Sequence, residues 1–528
     1  MNPAPPAAVL VIGIDAANPD LLREWARQGS LPHIRTLLDR GLIAESMSLP
    51  GFYVGSTWPS LYTGTSPAKH GLHYLKQLIP GTYRFRRMSD GAFVQRAPVW
   101  GMLSRAGRRV AVLDVPLSRP DPGLNGLQVV EWGGHDAVFG FHTHPPEAAT
   151  SIREKFGNHP AGSRCDAPRR GAEDYQRFIA ALERGARLKG ALTVDQLHQG
   201  GWDLVMQVFT ESHCVGHQCW HLHDPTHPNH DPSIRSLTGD PLARVYTAID
   251  AAVGEILTAA GDALVFLVVA HGMSYRFGAS FLLPDILVRL GVSAPPPPES
   301  GGSPLFRLAS SLWRVLPSGA RRALSPIRGR FGGRAPARES PVLPPHLQAS
   351  RCFPVNNGLA AGGIRLNLRG REPTGMLEPG PQAETFCTEL ARDLLAIVDD
   401  RTGQPLIRRV LRTRDFYQGE HLADLPDLLV EWSDAAATGV GGRVRIRSPR
   451  IGTMEGINTY GRTGEHRPEG LLVAAGKGIP AGRLPRPVSI LDFSPTIAAL
   501  FDVTLLDTDG EVIPEFVVPH VARRGEQV

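Results

Sequence analysis

Long apolar runs recur along this 528-residue chain, and most are continuous rather than alternating. Val9-Leu-Val-Ile-Gly-Ile14, Arg109-Val-Ala-Val-Leu-Asp-Val-Pro116, Asp203-Leu-Val-Met-Gln-Val-Phe209 and Ala263-Leu-Val-Phe-Leu-Val-Val-Ala270 are short and rich in β-branched residues. Such runs predict strands buried on both faces, as in the interior of a parallel sheet. Between them the period changes to that of a helix. Asp20 to Gln28, Leu31 to Arg40 with its Gly41 stop, Ala97 to Ala106 and Glu173 to Gln199 all read as helices. So does Val245 to Ala259, where Tyr246, Ile249, Val253 and Ile256-Leu257 share one side.

Several of these strands end in side chains that carry chemistry. The first runs into Asp15, and the strand from Ala263 runs into His271-Gly272. The strand ending at Phe209 opens the run Thr210-Glu-Ser-His-Cys-Val-Gly-His-Gln-Cys-Trp-His-Leu-His-Asp224. Five of the 19 histidines, His213, His217, His221, His223 and His227, lie in or just beyond it. Ligands of open α/β sheets bind outside the strand ends. His213 and His217, four apart, share a helix face. Two such imidazoles grip one divalent metal if a third ligand arrives from elsewhere. Cys214 and Cys219 lie among them, and packed thiols are the simpler reading of that pair. Gly51 to Gly64 and Thr65 to Gly71 form a Gly/Ser/Thr turn entering a helix, either an anion site or a plain capped helix. His135, Asp136, His142 and His144 read either as pocket lining from a cap region over about 95–200 or as ordinary loop residues.

Composition narrows the partners. The net charge is +5, yet 51 of the 56 basic residues are arginine, which indicates a compositional bias rather than a nucleic-acid surface. The basic excess is also local. Eight arginines and no acid lie between Arg307 and Arg338, after the Pro- and Gly-rich stretch 293–302. Leu305 to Leu316 is basic and amphipathic, which suits weak contact of 305–338 with a membrane surface or an acidic partner; a solvated insertion is the plainer alternative. The expected organisation is a core in two parts, 1–290 and 350–528, with 291–349 as insertion or linker. Five cysteines without regular spacing give no disulfide framework. No secretory pattern and no spanning apolar run are present, so a soluble cytoplasmic protein is expected.

Ile12-Gly-Ile-Asp15, Leu31-Pro-His-Ile-Arg-Thr-Leu37 and Thr63-Gly-Thr-Ser-Pro-Ala-Lys-His-Gly71 resemble motifs of the alkaline phosphatase superfamily, in its type I phosphodiesterase/nucleotide pyrophosphatase branch. Thr463-Gly-Glu-His-Arg-Pro-Glu-Gly470 and Ile490 to Leu500 resemble the branch's C-terminal metal-histidine motif and closing helix. The resemblance implies an α/β three-layer fold with a mainly parallel central sheet and an irregular cap. It implies hydrolysis of a small-molecule phosphate ester, a phosphodiester or nucleotide pyrophosphate before others, by one or two divalent ions, zinc or manganese. Carried over by motif, Asp15 and His271 would hold one ion, and His213, His217 and His466 the other.

Three positions depart from the branch. Ala270 stands where an Asp should precede His271, and His213 stands where an Asp is expected, with Glu211 nearby as a replacement carboxylate or supporting partner. Val54 occupies the nucleophile position when the register is set by Trp58 and Thr63. Ser56 and Thr57 are the nearest hydroxyls and the candidate nucleophiles. The alternatives are direct attack by metal-bound hydroxide and a member that binds a metal or ligand without hydrolysis. Hydrolysis of another ester, sulfate or phosphonate, is also open on this scaffold.

Overall fold

The computed structural model describes residues 7–88, 94–135, 137–161, 169, 171–275, 279–297 and 342–517. The basic segment 305–338 and Asp136 lie outside the described residues. Among the described residues no helix is long and apolar enough to cross a membrane.

The main sheet contains β1 (Ala7–Ile14), β2 (Leu42–Met47), β3 (Val110–Leu113), β4 (Gly126–Val130), β5 (His142–His144), β6 (Trp202–Phe209), β7 (Leu264–Val269), β8 (Glu469–Ala475), β9 (Gly482–Arg483) and β10 (Val488–Ser489). Their spatial order is β9-β2-β8-β7-β1-β6-β3-β4-β5, with β10 also pairing β2. Strands β7, β1, β6, β3 and β4 are mutually parallel, while β8 and β5 run antiparallel to their neighbours. The segment 95–200, expected as a cap region, supplies three of these strands and the long helix Ala172–Gln199.

The continuous apolar runs have their physical reason here, because both faces of the sheet are covered. Leu10, Ile12 and Ile14 pack on one side, with Val205 and Phe209. Val9 and Val11 pack on the other, with Met206, Val208 and Trp58. Alternate side chains of a strand point to opposite faces, so both sets must be apolar. The first face is covered by α3 (Ala172–Gln199), α4 (Glu211–His223) and α5 (Pro241–Ala260); the second is covered partly by α2 (Thr57–Thr63), which follows α1 (Pro19–Arg27) in the chain. Gly13 permits a close approach on the second face. A Cβ there would lie 2.8 Å from the Trp58 ring and 2.9 Å from Val208.

Two smaller units frame the strand ends. Gly272–Ser274 pairs antiparallel with Glu465–Arg467, setting Met273 opposite His466. A four-stranded antiparallel sheet of Cys352–Val355, Ala361–Leu366, Leu428–Trp432 and Ile407–Arg412 carries its own apolar core with the helix Pro381–Leu395. It grips the loop before α2: Gly51 N–H donates to Glu431 at 2.9 Å, and the Asn357 amide donates to Gly51 O at 2.8 Å.

The helix after that loop leads to a buried imidazole, His70. Its Nδ1 accepts the Leu72 N–H at 3.2 Å, and its Nε2 lies 2.9 Å from Ser60 Oγ. Burial, with His421 adding to it, holds its pKa down at about 3. The unfolded chain therefore takes up this proton first, from about pH 6.5 downward, and the folded chain only near the lower value. Stability contributed by neutral His70 is present above about pH 6.5 and is lost as the pH falls towards 3. Thermal melts of wild type and His70→Gln between pH 6.5 and 5 check this. The variant should lose less stability over that interval, by roughly 1.5 kcal/mol; parallel pH dependences would contradict it.

Candidate active site

Three strand ends, a short antiparallel pair and one loop meet at one place. β1 delivers Asp15, β7 delivers His271, and β6 opens α4, which carries His213 and His217 on one face. The short antiparallel pair delivers His466. The loop after β4 delivers His135. Ring centroids of His213 lie 3.9 Å from His135, 4.7 Å from His217, 4.8 Å from His466 and 6.2 Å from His271. His466 is 4.7 Å from His217 and 4.6 Å from His271. All five imidazoles and Asp15 are buried.

Asp15 is the acid at the centre. Its Oδ1 accepts the Trp58 indole N–H at 2.6 Å, and its Oδ2 accepts His213 Nδ1 at 2.6 Å. His271 Nε2 lies 4.0 Å from Oδ1. Burial lifts the Asp15 carboxyl above its ordinary range, against the pull of His271 and the Trp58 hydrogen bond. Burial also holds His271 below the ordinary imidazole value, with Asp15 opposing. His217 and His466 fall well below it, first through burial and then through neighbouring cations and imidazoles. His217, His271 and His466 are thus held neutral, the form in which an imidazole ligates a metal.

The donor set fits a divalent ion. Neither ring nitrogen of His271 has a hydrogen-bond partner, nor does Nδ1 of His466, and all three atoms are buried. Such groups cost free energy unless something satisfies them. Two sets of ligand atoms come within 4.8 Å of one another: His135, His213 and His217, and His217, Glu465 and His466. His217 Nδ1 donates to Gly464 O at 2.8 Å, which leaves the lone pair on Nε2; the Arg462 guanidinium donates to Nε2 at 3.1 Å.

A cavity of about 50 Å³ opens on the cluster, bounded by Asp15, His135, His213, His271 and His466, by Arg462, and by Val54, Trp58, Leu75 and Leu117. Val54 therefore faces the place where the family register puts a nucleophile. Ser56 and Thr57 are not brought there. Ser56 Oγ donates to Phe52 O at 2.9 Å, and Thr57 Oγ1 lies 3.3 Å from Ser48 Oγ; both residues are fully buried and neither borders the cavity. The reason is local: helix α2 starts at Thr57, and its first turn directs these hydroxyls into the protein.

A model of the type I phosphodiesterase/nucleotide pyrophosphatase family matches residues 9–277. The chain belongs to that family. Among solved structures, wild-type alkaline phosphatase PafA aligns with a TM-score of 0.51 and 14% identity, over 98% of this chain and 100% of its own. That likeness establishes an alkaline-phosphatase-like α/β fold. Phosphonoacetate hydrolase from Sinorhizobium meliloti 1021, in complex with phosphonoformate, aligns at 0.46 and 15% identity, over 94% and 96% of the two chains. Murine ectonucleotide pyrophosphatase/phosphodiesterase 5 aligns at 0.45 and 11%, over 96% and 97%. No curated protein matches the sequence.

In this family member the other histidines of α4 have supporting parts. His221 Nδ1 lies 3.2 Å from Thr463 Oγ1, and His223 Nδ1 lies 2.8 Å from Asp240. Cys219 is buried, its thiol pushed up to about 12. His142 and His144, read as pocket lining, sit instead on the edge strand β5, where they bond the backbone oxygens of Phe139 and Leu124. His135 from the same segment does reach the site.

Beneath the cluster lies a charged group that sequence reasoning missed. Lys189 of α3 is fully buried, and its Nζ donates to Val208 O at 3.1 Å and Thr210 Oγ1 at 3.0 Å. It pairs with Asp114 at 3.3 Å and Glu211 at 3.7 Å, and Glu211 also meets His159 at 2.9 Å. Burial opposes the ammonium, but Glu211 and Asp114 keep it charged, and the same contacts hold Glu211 below the ordinary carboxylate value against burial. Glu211, offered from the sequence as a replacement ligand, is thus occupied under α4. Lysine is scarce in this chain, with five residues, and one embedded in the apolar face of a helix was the available signal. Removing one partner of a buried ion network leaves the other charges uncompensated. Lys189→Met should cost about 3–5 kcal/mol of stability, read as a lowered denaturant midpoint; an unchanged midpoint would show that the network carries little.

Proposed function

We propose that this chain is a metal-dependent hydrolase of phosphate esters, acting on phosphodiesters or nucleotide pyrophosphates before monoesters. The observation that carries the reading is the buried set of imidazoles around a cavity that Asp15 and the Arg462 guanidinium also line. A bound divalent ion, zinc or manganese, would neutralise charge on the phosphoryl oxygens and supply a nucleophile at neutral pH. The protein's own residues then place the substrate. Arg462 offers planar donors that match phosphate oxygens. Asp15 keeps His213 in the tautomer with its lone pair on Nε2. Val54, Leu75, Pro116 and Leu117 give the cavity an apolar portion, which suits the second substituent of a diester better than the second charge of a monoester.

The absence of a nucleophilic side chain at Val54 favours one second reading, a member that binds metal and phosphate without turning it over. Assays of bis(p-nitrophenyl) phosphate, p-nitrophenyl phosphate and p-nitrophenyl sulfate with added zinc or manganese separate the two. The hydrolase reading expects the diester to be the best substrate and His466→Ala to lower its turnover by about 100-fold or more. No turnover of any ester by a metal-loaded chain favours the binding protein. Ser56→Ala and Thr57→Val should each keep kcat within about threefold, since neither hydroxyl faces the cavity; a loss of 100-fold in either fold-competent variant would restore it as the nucleophile.

A further inference from the structure

We infer that His135 is a metal ligand, completing with His213 and His217 a three-imidazole site for one divalent transition-metal ion. The inference rests on the metal-dependent reading above and adds a residue that lies in none of the motifs carrying the family resemblance. One ligand atom from each of the three histidines lies within 4.8 Å of the others, and all three are buried. Tetrahedral zinc with nitrogens at about 2.0–2.1 Å sets them about 3.4 Å apart. A modest closure of side chains that already stack, His135 on His213 at 3.9 Å between centroids, is enough.

Each ring is held through Nδ1. His213 Nδ1 donates to Asp15, and His217 Nδ1 donates to Gly464 O. His135 Nδ1 lies 3.3 Å from Cys214 Sγ, the thiol of the residue after His213. An imidazole anchored through one nitrogen presents the other to a metal, and such anchors fix both tautomer and ring orientation; at His217 an ion would take the place of the Arg462 guanidinium, which donates to Nε2 at 3.1 Å.

The loop that brings His135 is fastened as firmly as the helix. Asp114 accepts the N–H groups of Trp132 and Gly133, both at 2.8 Å, and Thr210 Oγ1 donates to Gly133 O at 2.7 Å. A Cβ on Gly133 would lie 2.4 Å from the His159 ring, so only glycine lets this loop approach so closely. Lys189 ties Asp114 on the loop side to Glu211 at the start of α4. One buried ion network thus sets His135 and His213 relative to each other. The placement of His135 also answers the two lost acids at Ala270 and His213: the site gains a neutral donor from a new direction, and its three ligands carry no charge to offset an ion's attraction for an anionic phosphate.

Titration of the purified full chain with cobalt(II), followed by visible absorption, tests this. Circular dichroism first establishes that each variant is folded. Wild type should take up one Co²⁺ per chain with intense bands of tetrahedral type. His135→Ala should bind at least about 30-fold more weakly and lose that intensity. His135→Phe, which keeps the ring and its stacking, should do the same and decides the matter if the alanine variant does not fold. His142→Ala, on the exposed edge strand, should behave as wild type. Wild-type affinity and spectrum in folded His135→Phe would overturn the assignment of His135 and leave the metal-dependent reading standing. A wild-type chain that takes up no Co²⁺ would overturn both.

Discussion

Everything at this site depends on the cost of burying polar groups at the end of a fully covered sheet. Five imidazoles, one carboxylate and a guanidinium converge where water is scarce. Each buried polar atom needs a partner or raises the free energy of the fold. The protein supplies partners for some of them: Trp58 and His213 for Asp15, and Gly464 for His217. His271 and one side of His466 receive none. Imidazoles buried in this way resist taking up a proton, and the depressed basicity of His217, His271 and His466 is the electrostatic expression of that constraint. Neutrality and unsatisfied nitrogens are also what a cation requires of its ligands, so the constraint and the proposed chemistry have one origin.

The same constraint explains the scaffold. Lys189, Asp114, Glu211 and His159 form a second polar layer beneath the first, with the Lys189 ammonium set between two carboxylates. A buried network of ion pairs and hydrogen bonds rigidifies what it touches. It touches the loop of His135 and the first turn of α4, the two segments whose relative position decides whether their imidazoles meet. Val54, which borders the cavity, packs on its other side against Gly358, whose position in the left-handed region and lack of a side chain make room for it.

Much of the fold was legible in the sequence because its signals are local and redundant. β1, β6 and β7 are continuous apolar runs, and a strand covered on both faces has no other way to be written. His213 and His217 announced themselves by helical spacing, and His466 by the short motif around it. His135 stood out only as one of four candidates for pocket lining, because its partners are 78 or more residues away in the chain and a Gly-Gly-His loop has no periodicity to reveal where it points. The hydroxyls of Ser56 and Thr57 failed for a related reason: they stand two and three residues from Val54, but the turn into α2 rotates them inward. Sequence distance to the expected nucleophile said nothing of direction. Lys189 was hidden because a cation in a long helix, here one that also carries Arg177, Arg184 and Arg187, ordinarily faces solvent.

The central claim is that the buried imidazole cluster exists to hold a divalent ion. Thermal unfolding of the metal-depleted chain over a zinc titration tests it most directly, since a ligand that binds only the folded state stabilises it by mass action, by about 2.7 kcal/mol at one hundred times its Kd. If the cluster holds a divalent ion, the melting temperature rises steadily with free zinc. A melting temperature that stays flat while zinc is raised to saturating levels would contradict it.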